Sequence, residues 1–100
     1  MVKVGLFVKL KAKPGKEAEL GQLLKGALPL AMEEQGTTVW YALQFDRSTF
    51  GIFDAFATDA GRDAHMAGRI AAALMAKAPD LLAKPPVIEQ VDVMAAKVQP

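Results

Sequence analysis

The sequence predicts an α+β fold of βαββαβ order, a four-stranded antiparallel sheet with its helices on one face. Three observations predict it. Apolar and polar residues alternate at the start of the chain, two runs of β-branched and aromatic residues lie in its middle, and stripes of helical period fill the intervals. Elements in that order, joined by right-handed crossovers, close into one sheet covered on one side. One hundred residues is the length of one domain, spanning 1–100, and 52% apolar residues is more than one small core needs. The surplus predicts a homodimer in which two sheets pair face to face as an α/β barrel.

Val2, Val4, Leu6, Val8 and Leu10 alternate with Lys3, Gly5, Phe7, Lys9 and Lys11, the pattern of a strand with one strongly apolar face. Phe7 implies that the other face is partly dry too, although three lysines share it. Lys13-Pro14-Gly15-Lys16 supplies a turn, with proline presetting the first corner and glycine tolerating positive φ at the second. Leu20, Leu23, Leu24, Ala27, Leu28 and Ala31 then form a helical stripe. Pro29 predicts a bend in this helix, and Gly36 a left-handed cap at its end. Residues 37–45 and 50–57 predict a hairpin closed by Asp46-Arg47-Ser48-Thr49. Thr58 and Asp59 start a second, alanine-rich helix expected to run to about Lys77. Pro79 and Pro85-Pro86 bracket a short helical turn around Leu81 and Leu82, and residues 87–98 form the last strand.

The balance of charge, 12 basic against 11 acidic residues, leaves no footprint for nucleic acid and no polybasic membrane surface. Without cysteine there can be no disulfide, thiolate metal site or cysteine nucleophile. No run is long and uncharged enough to span a bilayer, and Met1-Val2-Lys3-Val4-Gly5-Leu6 reads as strand and not as leader, so a cytoplasmic protein is expected. One histidine and carboxylates without calcium-loop spacing predict no metal site.

Several stretches together resemble the antibiotic biosynthesis monooxygenase family. They are the opening strand with Lys13-Pro14-Gly15-Lys16, the segment from Pro29 through Glu33-Glu34-Gln35-Gly36 into an aromatic strand, and Phe50-Gly51-Ile52-Phe53-Asp54-Ala55-Phe56 followed by a capped helix carrying Asp63-Ala64-His65-Met66. The resemblance spans nearly the whole chain. It implies a ferredoxin-like dimeric α/β barrel with a hydrophobic ligand pocket between helices and sheet in each subunit. It also implies oxidation of a small aromatic or quinol-like molecule by dioxygen with no cofactor, neither metal nor flavin. The alternative is a non-catalytic dimeric domain of the same fold that binds a small molecule or serves in stress. Related haem-degrading members carry an asparagine and a histidine where Val8 and Met75 stand here, which argues against haem chemistry.

His65, the only histidine, is the candidate base for a phenolic proton, against the commoner role of a helix histidine bonded to a neighbour. Asp54 is a carboxylate within an apolar strand, so it is exposed, paired or functional. It could orient His65 or pair with Arg62 or Arg69. Trp40 and Tyr41 must point to opposite faces, one toward the pocket and one toward the dimer seam. Val8, Trp40, Tyr41, Phe56, Met66 and Arg69 are the candidate substrate-binding residues, each with ordinary packing or surface pairing as its plainer role.

Overall fold

Alternation along β1 (Val4–Lys11) sends Val4, Leu6, Val8 and Leu10 to one side of the sheet, where all four are buried, and Phe7, Lys9 and Lys11 to the other. The structure, a computed structural model, describes residues 1–98. After β1 come α1 (Glu17–Gly26), α2 (Leu28–Glu33), β2 (Thr37–Gln44), β3 (Thr49–Phe56), α3 (Asp59–Met66), α4 (Arg69–Leu81) and β4 (Val87–Asp92). The sheet order is β2-β3-β1-β4 and every neighbouring pair is antiparallel, the ferredoxin-like arrangement that the sequence predicts. Register places Leu6 opposite Asp54, Val8 opposite Ile52 and Leu10 opposite Phe50, so the even-numbered residues of β3 share the covered face. There Val8, Leu10, Phe50 and Ile52 pack against Leu20 and Leu24 of α1 and Leu74 and Leu81 of α4. Each such side chain is worth about 1.5–3 kcal/mol when fully buried, which ties both crossovers to the sheet.

The helical crossovers are more segmented than the sequence predicts. The first is two helices and not one helix bent at Pro29. α1 ends at Gly26, and Ala27 joins it to α2 while keeping right-handed helical angles. Pro29 falls in the first turn of α2, where a missing amide costs no hydrogen bond, and residues 30–33 stay helical. Gly36 is not a left-handed cap. Glu34, in extended conformation, ends α2, and among the described residues the one glycine with positive φ is Gly15, at 86°, in the predicted turn. Gly36 serves close approach instead: a Cβ on it would lie 3.2 Å from the Cα of Gly61, and a Cβ on Gly61 would lie 3.0 Å from the Gly36 carbonyl oxygen. The start of α3 therefore rests directly on the loop between α2 and β2.

The second crossover divides at Ala67 and Gly68, the latter extended as the N-cap of α4. Glycine is a poor helix former, and a Cβ here would stand 3.2 Å from Oε2 of Glu34. α4 then passes through Pro79 to Leu81, so the separate turn expected around Leu81 and Leu82 does not exist. Pro79 lies in the last turn, where its ring disturbs little that follows. β4 stops at Asp92 and not at residue 98. Val93 makes one further bond, its amide donating to the Lys3 carbonyl at 2.9 Å, and β1 offers no pairing strand beyond. No helix of the described residues is long and apolar enough to cross a membrane.

Candidate active site

Two local features aim His65. Thr58 caps α3, its Oγ1 accepting from the Gly61 amide at 3.0 Å, and the glycine contact fixes where that first turn lies. His65 then falls in the last turn of the helix, with its ring 5.4 Å from that of Phe56. Phe56 is fully buried and supports the imidazole. Asp54 lies on the covered face of β3, between Leu6 of β1 and Trp40 of β2. Glu34 arrives from the end of α2, its Oε1 accepting from the Thr37 hydroxyl at 2.7 Å.

These elements enclose the imidazole between two carboxylates. Nε2 lies 2.9 Å from Oδ2 of Asp54 and Nδ1 lies 2.5 Å from Oε1 of Glu34. His65 is 8% exposed and Asp54 only 1%. Burial alone would push the imidazole pKa down. The hydrogen bonds to Asp54 and then Glu34, with the charges of both, outweigh it and raise the pKa from 6.5 to about 9. At neutral pH His65 is an imidazolium donating through both nitrogens, so it has no lone pair for a substrate proton. The free imidazole base expected from the sequence does not fit this geometry.

Asp54 offers what His65 lacks. Its Oδ1 is buried and has no hydrogen-bond partner among the described residues. Asp54 and His65 line a cavity of about 150 Å³ between sheet and helices, with walls that include Leu6, Val8, Ile52, Ile70 and Leu74. Across Ile52, Ile70 and Leu74 lies a second apolar space of about 290 Å³ under α1 and α2, and no buried charged group lines it. The buried ionisable side chains Asp54 and His65 line the smaller one alone. Among the described residues no group of three ligating side chains could hold a metal ion, since both carboxylates converge on imidazole N–H groups.

Comparison with solved structures finds the same architecture elsewhere. A protein of unknown function from Nitrosomonas europaea is 60% identical, with a TM-score of 0.98, and the match covers 100% of this chain and 97% of that one. A structure from Caulobacter crescentus described as a "putative antibiotic biosynthesis monooxygenase" is 25% identical over 94% of this chain and 92% of its own, with a TM-score of 0.76. A second protein of that description, from Nitrosomonas europaea, is 17% identical over 92% of this chain and 99% of its own, with a TM-score of 0.83. The chain shares the fold of proteins described as putative antibiotic biosynthesis monooxygenases. No protein-family model matches the sequence, and no curated protein does.

On this fold the remaining candidate residues separate. Val8 and Met66 line the cavity beside Asp54 and His65, and Phe56 backs the imidazole. Trp40 shares the covered face but packs against the main core, its buried Nε1 without a partner. Tyr41 is on the opposite, exposed face. Arg69 is not at the cavity: its side chain is 78% exposed and pairs with Glu33 at 3.8 Å. Nor does Arg62 pair with Asp54, because it donates to the carbonyls of Gly5 and Val91 and lies 3.6 Å from Asp59. The sequence singles out no role for Glu34, although the Glu33-Glu34-Gln35-Gly36 segment was part of the family resemblance. Ile70, Ala71 and Leu74 sit at helical spacing on α4, yet only its docking onto β1 and β3 shows that they form a wall.

Proposed function

We propose that this chain is a cofactor-independent oxygenase of a small hydroxylated aromatic, with Asp54 as the proton acceptor and His65 as a fixed cation beside it. The observation that carries this is Asp54, a buried carboxylate that lines an apolar cavity and leaves its Oδ1 without a partner, next to an imidazolium held by a second carboxylate. A ring hydroxyl in the cavity gives its proton to Oδ1, and the positive His65 stabilises the electron-rich ring anion in low dielectric. That anion passes one electron to dioxygen, and the resulting pair recombines as a carbon–oxygen bond at a ring C–H. The peroxide regains the proton from Asp54 and then loses water with the ring hydrogen, leaving a quinone carbonyl. One oxygen atom stays in the product and the other leaves as water.

Oxygen consumption with phenol and hydroquinones, followed on an oxygen electrode, tests this. Asp54→Asn should lower the rate by about 10²-fold or more, the usual scale of a lost general base. The wild-type rate should also fall as pH rises through about 9, where His65 loses its charge. An Asp54→Asn variant with normal turnover overturns the assignment. The second reading is a domain that binds an aromatic without oxidising it, which the cavity's mostly apolar walls also support. Saturable binding with no oxygen uptake by any of these compounds would favour it. We further infer that two copies pair through the uncovered sheet face, where Tyr41 and Phe45 are exposed. The cysteine-free sequence suits a cytoplasmic location.

A further inference from the structure

We propose that the cavity takes a single aromatic ring carrying a hydroxyl group, a phenol or hydroquinone, and excludes fused tricyclic substrates; this rests on the reading of Asp54 as the group that meets the ligand. Three observations point the same way. The first is size. A cavity of about 150 Å³ matches the engineered protein cavity of about 150 Å³ that stays dry and binds benzene. The larger neighbouring space does not extend it, because Ile70 and Leu74, both buried, stand between the two.

The second observation is polarity. The walls include one carboxylate, Asp54, whose buried Oδ1 has no partner, and no free donor, because both N–H groups of His65 are already given to carboxylates. The site therefore asks its ligand for one hydrogen-bond donor and otherwise for apolar surface. A hydroxyarene supplies both, whereas a carbonyl compound without a hydroxyl would leave Oδ1 buried and unpaired. The third is the opening. Most of the lining is buried, but Met66, Met75 and Ile88 are 40%, 56% and 48% exposed and mark one open side, between β4 and the helices. Two flexible methionines at this entrance adapt to small differences in ring substitution, and a substituent too long for the cavity has only that side to leave by.

Binding can be read without turnover, from the methionine methyl resonances of the whole protein under nitrogen. Phenol and hydroquinone should shift the Met66 and Met75 signals saturably. Toluene, which fills the same space without a donor, should bind about tenfold more weakly or worse. Anthrone should leave both signals unchanged. Ala71→Leu, which fills the cavity without touching the ion pair, should abolish phenol binding. Ala73→Leu, two residues away on the wall of the other space, should leave it intact. Anthrone binding as tightly as phenol, toluene binding equally well, or an Ala71→Leu variant that still binds phenol would each overturn the inference. Phenol binding with no oxygen uptake would support the ligand class while sinking the oxygenase reading, so the two fail separately.

Discussion

A carboxylate on each ring nitrogen turns His65 from a titrating base into a fixed positive charge, and this has a measurable consequence for stability. Its folded-state pKa, about 9, lies above the 6.5 expected of the unfolded chain. The stabilisation is therefore fully present below pH 6.5 and is lost as pH rises through about 9. At about 1.4 kcal/mol per unit, the difference bounds the effect at about 3 kcal/mol. Urea unfolding of the wild type at several pH values between 6 and 10 should show that loss, and His65→Leu should flatten it. The leucine variant should also be less stable at pH 7 by about 3 kcal/mol, because it strands Asp54 as an uncompensated buried charge. Equal pH slopes in the two proteins would contradict the ion-pair assignment. Asp54 was legible from sequence as an anomaly, a carboxylate in an apolar strand, and so was its possible link to His65. Glu34 was not, because its meeting with a residue 31 positions later depends on how the end of α2 docks.

Between α2 and α3 the deciding contact is backbone on backbone. A methyl on Gly61 would meet the Gly36 carbonyl at 3.0 Å, and a carbonyl held in a loop cannot swing aside as a long side chain would. Alanine in place of glycine within a helix gains about 1 kcal/mol of intrinsic propensity. Overpacking costs about 1–3 kcal/mol, so the clash should win. Gly61→Ala should lower stability by about 1 kcal/mol and pull Glu34 away from His65, reducing the imidazole pKa toward that of Glu34→Gln. Thermal melts together with imidazole proton shifts across a pH series check both halves. A more stable Gly61→Ala protein with an unchanged pKa would mean that the two segments do not bear on each other. Elements differ in how readily they could be read. Period two marked β1 and the hairpin, because strand sides are set by the residue itself. The breaks at Ala27 and Gly68 were hidden, since both lie within stripes whose apolar spacing continues across them. Pro29 drew attention to the right region, but proline in a first turn starts a helix as readily as it bends one.

Across the whole molecule, helices cover one face of the sheet and leave an aromatic surface on the other. Phe7 and Phe45 meet edge to face with centroids 6.3 Å apart, and Phe53 pairs with both Phe7 and Tyr41 across the sheet. The three lysines of this side do not occupy it equally. Lys3 and Lys11 stand toward its two ends, with the Lys11 amine donating to Ser48 Oγ at 2.7 Å, while Lys9 lies 5.6 Å over the Phe45 ring. A cation on an aromatic face can remain in a seam at modest cost, particularly near its edge. Burying this surface against a second copy is the simplest way to account for an apolar content above the needs of one core. Light scattering at micromolar concentration should give about twice the 10.7 kDa chain mass. Phe45→Glu places a charge in the seam, opposite an identical charge if the pairing is two-fold, and should shift the protein to monomer. Because the Asp54–His65 cavity lies on the other face, that monomer should still bind phenol if the sheet remains folded. A wild-type mass near 10.7 kDa at these concentrations, with no binding of a hydrophobic dye, would show that the aromatic face needs no partner.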